Sequence, residues 1–225
     1  MNYKTPAELC DEIASKGPSN AWGDSAAVVC SLAAMLAGIE GRAKVDTVTF
    51  GSSPVQTAGE SSVAEKLAQL AEQDANAESA VRDALRQPAM IVSQRESRRA
   101  ALNESYATAA RASLKLLDTC GEVGERIRAL DDSRSNILSA QRAAALALCV
   151  GAIRSLKAEA LLRISSITDI AAAEPLQSEL KALCEKYIPA AESACEAVLS
   201  SLESTSSGGR STPSSPLCDN CGIDR

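Results

Sequence analysis

Alanine is the residue that most constrains the fold of this chain, because it fills 41 of the 225 positions whereas aromatic residues make up only 2%. Alanine is the best helix former, and its small side chain lets neighbouring helices approach closely. Strands favour β-branched and aromatic residues, so this composition argues against a sandwich or a barrel. Hydrophobic residues amount to 45%, which is enough for a sizeable core. The sequence therefore predicts an all-α fold.

Helix start and stop signals divide the chain into six to eight predicted helices. Capping boxes begin at Thr5, Ser62 and Ser93, and Pro88 separates the last two of these helices. Several helices exceed twenty residues, and helices of this length usually form antiparallel or oligomeric bundles. A kink is expected at Pro189 within the last helix. The predicted helical ranges are 5–16, 25–39, 62–86, 93–117, 121–130, 133–164 and 175–202.

The C-terminal segment differs in composition from the rest of the chain. Residues 1–203 are predicted to form one helical domain, and residues 204–225, rich in Ser, Gly and Pro, a flexible tail. The tail carries Cys218 and Cys221 as a CxxC pair, but a structural zinc site needs four ligands and no second pair or histidine is available. The pair is interpreted as two thiols in an unstructured tail, with a disulfide or a metal shared across a dimer as alternatives.

Histidine is absent from the sequence, which excludes Ser-His-Asp and Cys-His catalysis and every histidine-containing zinc site. The net charge of −6 lacks the basic footprint of a nucleic-acid-binding protein. The one basic cluster comprises Arg95, Arg98 and Arg99, and a solvated helix face is the simple interpretation for it. We therefore expect no nucleic-acid partner.

The distribution of apolar residues predicts a cytoplasmic protein without a membrane segment. The N-terminus has no apolar run typical of a signal peptide. The longest uncharged stretches, 25–39 and 143–153, are too short to span a bilayer. Six cysteines are scattered among apolar residues, as reduced and buried thiols would be.

Several short segments occur in a distinctive order. Residues 74–77 read Asp-Ala-Asn-Ala, Pro88 and Arg98 follow, and segments 153–155 and 167–169 read Ile-Arg-Ser and Ile-Thr-Asp. Over about residues 5–200 this order resembles the cyclodeaminase/cyclohydrolase family, which has Asp-Ala-Glu-Ala, a proline and an arginine at the same spacing, Leu-Arg-Ser and Ile-Thr-Asp. The resemblance implies a homodimer with sites near the subunit interface and a tetrahydrofolate derivative as substrate. It implies neither a metal ion nor an organic cofactor.

Several family motifs are replaced in this sequence. The family's Pro-Gly-Gly-Gly-Ser loop corresponds to residues 20–25, where Gly23 and Ser25 remain and Trp22 adds bulk. The family's Gly-Lys-Lys becomes Gly-Ser-Ser at 51–53, so a positive charge is lost. The family's Ser-Asp pair corresponds to residues 140–141, Ala and Gln. Glu159 and Arg163 replace two asparagines. We therefore expect the chain to keep the helical fold of the family but to have different polar side chains in its pocket.

Asp74 is the candidate catalytic residue that the resemblance implies, because it is the acid that matches a family acid inside the bundle. Its role would be general base or stabiliser of a cationic one-carbon unit. The alternative is an exposed acid in a charged helix segment. Arg98 and Arg154 could bind a ligand carboxylate, or could form bundle salt bridges or a solvated face.

The remaining candidate substrate-binding residues are Trp22, Ser25, Gln141 and Glu159. Trp22 could stack on a flat pterin ring or simply pack against the helices. Glu159 lies four residues before Arg163, so the two form either an ordinary i,i+4 ion pair or a charged pair that faces the altered pocket. Ser25 and Gln141 are candidates through the family positions that they occupy.

Three functions are compatible with these residues. The first is a folate one-carbon enzyme, a hydrolase or lyase resembling methenyltetrahydrofolate cyclohydrolase or formiminotetrahydrofolate cyclodeaminase. The second is a diverged enzyme on the same scaffold that acts on a different small substrate. The third is a non-catalytic helical dimer that binds a partner protein.

Overall fold

The computed structural model describes residues 21–36, 63–130 and 136–208. These ranges form five helices and contain no strand, so the predicted all-α class is confirmed. No helix within them combines the length and the apolar character needed to cross a membrane. The helices are α1 (Ala21–Leu36), α2 (Val63–Arg86), α3 (Val92–Arg128), α4 (Asn136–Ser165) and α5 (Ile170–Gly208).

Helices α3 and α4 form the centre of the bundle. Helix α3 packs against the other four described helices, and α4 packs against α1, α3 and α5. Small side chains line these contacts, and four of the five described cysteines are buried and outside any disulfide, as expected from the sequence. In the described part of the chain α2 and α4 do not pack against each other, a fact that matters for the site. The largest fully buried side chains include Leu67, Leu114, Leu117, Ile127, Leu146, Ile153 and Leu156.

Helix α3 is continuous from Val92 to Arg128, so the predicted break between residues 117 and 121 is wrong. Gly121 is a packing residue rather than a helix terminator. A Cβ atom at Gly121 would lie 2.2 Å from Cδ2 of Tyr187 on α5, so only glycine admits the ring here. Tyr187 is itself held in place, because its hydroxyl donates to Oδ1 of Asp118 at 2.6 Å.

Helix boundaries differ from the predictions at two other places. Helix α1 begins at Ala21, so Trp22 lies in the helix rather than in the preceding loop. Helix α5 begins at Ile170 and includes Pro175, which was expected at its start. The Asp169 side chain accepts a hydrogen bond from the Ala171 amide at 3.1 Å and so caps this earlier start. By contrast, α2 has the predicted bounds almost unchanged.

Several predictions concern residues outside the described ranges. These are the first predicted helix at 5–16, the loop at 41–61, and the tail segment that contains Cys218 and Cys221. Helix α5 extends to Gly208, five residues past the predicted end of the helical domain at residue 203.

Two helical glycines provide a matched stability test. We expect Gly121→Ala to lower the free energy of unfolding by about 1–3 kcal/mol, because the new methyl group overpacks against the fixed ring of Tyr187. Gly151→Ala in α4 should instead raise it by about 0.5–1 kcal/mol, since no atom lies within 4 Å and alanine favours the helix. Urea titrations of both variants measure the difference, and shifts of the same sign would contradict this packing.

Candidate carboxylate site

Asp74 lies in the middle of the buried stripe of α2. The buried residues of this helix are Leu67, Ala71, Asp74, Ala77, Val81 and Ala84, at the three- and four-residue spacing of one helix face. Only 4% of the Asp74 surface is exposed. The alternative interpretation of Asp74 as an exposed acid is therefore wrong, and its carboxylate needs partners inside the bundle.

Arg163 on α4 supplies the main partner of Asp74. Its Nη1 atom donates to Oδ1 of Asp74, and its Nη2 atom donates to Oδ2 at 3.2 Å, so the pair is bidentate. Arg163 is also only 4% exposed. Although α2 and α4 do not pack directly, the long arginine side chain joins them.

Three further groups complete the shell around the guanidinium. Nη1 of Arg163 also donates to the Ala109 carbonyl at 3.0 Å and to the Ser113 hydroxyl at 2.7 Å, both on α3. Nη2 lies 3.4 Å from Oε2 of Glu78. Burial lowers the pKa of Arg163, but its hydrogen bond to Asp74 and the surrounding carboxylates raise it by more. Arg163 thus remains a fixed cation at the junction of α2, α3 and α4.

Glu159 lies beside the same guanidinium, one helical turn before Arg163. Its Oε1 atom is 2.7 Å from Nη2 of Arg163, and its Oε2 atom is buried without a hydrogen-bond partner. Burial, the charge of Asp74 and a hydrogen bond to Asp74 together raise the pKa of Glu159 to about 8, against the opposing effect of Arg163. Glu159 is therefore both an i,i+4 ion-pair partner and a neighbour of Asp74. Near neutral pH it holds a proton next to the Asp74–Arg163 pair.

Gly23 brings the first turn of α1 against this site. A Cβ atom at Gly23 would lie 2.6 Å from Oδ2 of Asp74, so any side chain here would collide with the carboxylate. Gly23 is one of the two residues retained from the family's glycine-rich loop. Its absent side chain allows α1 to close over Asp74.

The other predicted site residues lie outside this cluster or at its edge. Gln141 is exposed on α4, eighteen residues and about 27 Å along the helix from Glu159. Arg154 is exposed and forms an ion pair with Glu192 of α5, as one alternative proposed. Ser25 is half-buried in α1, and the Trp22 side chain lies outside the described part of the structure. Arg98 lines a separate cleft near the start of α3. Their binding roles remain predictions.

Sequence reasoning missed Glu78 and Ser113, and it did not connect Arg163 with Asp74. The spacing along α2 could have indicated that Asp74 is buried. Asp74 lies seven residues after Leu67 and seven before Val81, so its charge falls within the apolar stripe of the helix. Glu159 and Arg163 likewise interrupt the buried face that contains Leu156, Ala160 and Ile164. A charged residue on a buried face needs a partner, but the spacing does not say which helix provides it.

The raised pKa of Glu159 predicts how stability depends on pH. A carboxyl group whose folded pKa of about 8 exceeds its ordinary value of 4.5 stabilises the fold when protonated, and this contribution is lost as the pH rises between the two values. We expect the free energy of unfolding to fall by about 1 kcal/mol per pH unit across this window from Glu159 alone. Glu159→Gln should remove that slope, which urea titrations at several pH values measure. An unchanged slope would contradict the assignment.

Comparisons with known proteins agree with the sequence resemblance. A family profile described as Formiminotransferase-cyclodeaminase matches residues 5–182. The crystal structure of a formiminotetrahydrofolate cyclodeaminase from Thermotoga maritima has a TM-score of 0.63 and 18% sequence identity, and the alignment covers 90% of this chain and 98% of that one. At this identity the structural match shows the fold. A search of curated proteins finds no match. Because the family profile spans more than half of the residues, the chain belongs to the formiminotransferase-cyclodeaminase family.

Proposed function

We propose that this protein is a folate one-carbon enzyme that adds water or an internal amine to a one-carbon unit carried by reduced folate. The observation that carries the proposal is the buried carboxylate pair of Asp74 and Glu159, which lies beside the α1 glycine in a chain of this family. Both carboxyl groups contact Arg163, and burial beside Asp74 raises the pKa of Glu159 to about 8. A carboxyl group whose pKa lies near neutral pH is suited to acid–base chemistry.

In the hydrolytic direction, the substrate is a methenyl bridge, which is a cationic amidinium. A water oxygen bonds to the bridge carbon, and one C–N bond of the bridge breaks. Of the two protons of the water, one goes to the nitrogen that leaves the carbon and the other goes to the ionised fraction of Glu159, whose Oε2 atom has no partner in the described bundle. The product carries a formyl group on the other nitrogen. Asp74 adds negative charge that stabilises the cation before attack.

In the deamination, the substrate is the protonated formimino group. An amine of the folate bonds to its carbon, the bond between that carbon and the terminal nitrogen breaks, and ammonia leaves. The leaving nitrogen gains one proton, which Glu159, protonated near neutral pH, can donate. The attacking amine loses a proton, which restores the acid, and the positive charge stays on the methenyl bridge. The same residue therefore serves both reactions, and the proposal requires no metal ion and no organic cofactor. It also includes a homodimeric assembly in the cytoplasm, without nucleic acid.

A specific observation favours the second candidate function, a different small substrate on the same scaffold. The guanidinium of Arg163 already contacts both oxygens of Asp74. It thus occupies the place at which a cationic folate group would be stabilised, and it replaces a family asparagine. Under this alternative the pair of Asp74 and Glu159 acts on a neutral or anionic substrate instead.

The proposal is tested with the purified full-length protein and methenyltetrahydrofolate. The expected result is a loss of methenyl absorbance that is faster than in buffer and proportional to the protein concentration. Formiminotetrahydrofolate provides the second arm, with ammonia release as the readout. Rates equal to buffer in both arms, together with no folate binding by calorimetry, overturn the proposal and leave the second candidate.

A further inference from the structure

A second site lies at the N-terminal end of α3, away from the carboxylate cluster. Here a cleft of about 170 Å³ is lined by Arg95, Arg98 and Arg99, by the apolar groups of Leu102 and Tyr106, and by Thr168 from the segment between α4 and α5. The α3 residues follow a spacing of three and four, so they share one helix face. The cleft forms between that face and the segment that precedes α5.

Positive charge is concentrated in this cleft and is not balanced there. None of the residues that line it is acidic, and in the described part of the chain none of the three arginines forms an ion pair. The chain as a whole carries a net charge of −6. The position is also unfavourable for cations, because the N-terminal end of a helix is the positive end of its dipole. Helix α3 has no acidic residue in its first turn to offset this. An anion would relieve both repulsions.

Arg98 provides a donor that is prepared for such an anion. Its Nε atom is buried and has no hydrogen-bond partner. A buried donor of a charged group is normally paired, and leaving it unpaired costs free energy. By contrast, Nε of Arg99 donates to the Thr168 hydroxyl at 3.1 Å. Among the described residues, Arg98 therefore keeps a donor that no protein group pairs, whereas Arg99 does not.

Thr168, which lines the cleft from the segment before α5, is hydrogen-bonded to α3. Oδ1 of Asn103 accepts hydrogen bonds from the Thr168 amide at 2.9 Å and from the Thr168 hydroxyl at 3.1 Å. These bonds fix the segment before α5 against α3. A site whose walls are fixed in advance loses little conformational freedom when it binds a ligand.

The size and lining of the cleft indicate the chemical class of the ligand. Pockets that enclose a whole drug-sized molecule usually measure about 300–1,000 Å³, so this cleft receives a small ion or one end of a larger molecule. Guanidinium groups bind carboxylates and phosphates through paired N–H donors. We propose that the cleft of Arg95, Arg98 and Arg99 is a binding site for a carboxylate or phosphate group of a small molecule.

Two sources could supply this anion. Asn103 precedes Ala109, whose carbonyl contacts Arg163, by six residues, or about 9 Å along α3. The cleft and the carboxylate site thus share helix α3, and the first source considered is the glutamate end of a folate whose reacting end lies at Asp74. A free phosphate or phosphorylated metabolite is the other source. The anion site itself does not depend on the activity proposed above, because binding is measured without turnover.

The test is isothermal titration of the full-length protein with two probes, inorganic phosphate and N-(4-aminobenzoyl)-L-glutamate. The variant Arg98→Gln removes the unpaired donor and one charge, and Arg95→Gln provides a second variant at an exposed position. Arg111→Gln is the matched control, because Arg111 is an exposed arginine of the same helix that does not line the cleft. Thermal unfolding without ligand establishes that each variant folds.

We expect the wild-type protein and Arg111→Gln to bind at least one probe, and both cleft variants to bind it at least tenfold more weakly. Binding should also weaken as the salt concentration rises. Preference for the aminobenzoylglutamate assigns the cleft to a carboxylate tail, and preference for phosphate assigns it to a phosphorylated ligand. The inference is overturned if neither probe binds, or if Arg98→Gln and Arg95→Gln bind as tightly as the control.

Discussion

Replacing Arg163 by glutamine is expected to lower the free energy of unfolding by about 3–5 kcal/mol, the largest stability effect that this structure predicts. The substitution removes the only cation that the described residues place between Asp74, Glu78 and Glu159. Breaking a buried ion pair from one side leaves charges that neither water nor another group compensates. Urea titration at neutral pH measures the loss.

The acid dependence and a matched control separate this explanation from a general loss of packing. The cost comes from negative charges left together without a cation, so the difference between Arg163→Gln and the wild type should shrink as the pH falls. Arg154→Gln provides the control, because its ion pair with Glu192 is exposed and contributes about 0–1 kcal/mol. Equal losses in the two variants, or a deficit that stays constant with pH, would contradict the role assigned to Arg163.

Asp74→Asn is expected to lower kcat/KM for the folate substrate by about 10²- to 10⁴-fold, the range typical of a lost acid–base or charge-stabilising group. Asparagine keeps the size of the side chain and one oxygen acceptor for Arg163. Removing the Asp74 charge also removes one cause of the raised pKa of Glu159, so Glu159 ionises more readily and takes over the ion pair. The fold should therefore survive while the activity falls.

Two measurements distinguish a catalytic from a structural effect of Asp74. Glu78→Gln is the control. Glu78 has a single contact with Arg163 at 3.4 Å, whereas Asp74 binds Arg163 through both carboxylate oxygens. We expect it to retain most of the activity. The pH profile of kcat should also shift in Asp74→Asn, since the acid limb depends on Glu159. An Asp74→Asn enzyme as active as the wild type would remove this residue from the mechanism.

The sequence predicted the helical class and the place of the candidate residue Asp74 inside the bundle for clear physical reasons. Alanine and leucine dominate the buried faces, so helix propensity and apolar spacing agree over α2 and most of α4. The family resemblance selected Asp74 among the acids of its helix. The buried stripe supports the same choice independently, because Asp74 takes an apolar position between Ala71 and Ala77.

The ionic shell of Asp74 could not be predicted in the same way. Asp74 and Arg163 are 89 residues apart and belong to helices that do not pack together, so neither local spacing nor helix contacts pair them. The family resemblance suggested only that Arg163 replaces an asparagine. Which acid it meets depends on the length of its side chain and on the arrangement of three helices, and these emerge only from the packed structure.

The errors in helix boundaries have a related cause. Gly121 has the low helix propensity that favours a break, yet the space required by Tyr187 fixes a glycine inside the helix. Pro175 is a common residue at helix starts, but the Asp169 cap begins α5 one turn earlier. In both places a contact with a distant or preceding residue overrides the local preference.

The bridge from Arg163 to α2 has a consequence for how the bundle opens. In the described chain α2 is held by α1 and α3 along its apolar stripe, and its contacts with α4 are the polar ones that Arg163 and Glu159 make with its carboxylates. Amide protons of α2 should therefore exchange with solvent deuterium as one cooperative unit, at a rate set by the charge state of a few carboxyl groups rather than by unfolding of the whole molecule. At mildly alkaline pH, the amides of α2 would then exchange faster than those of the other described helices, which would identify α2 as a unit that opens separately.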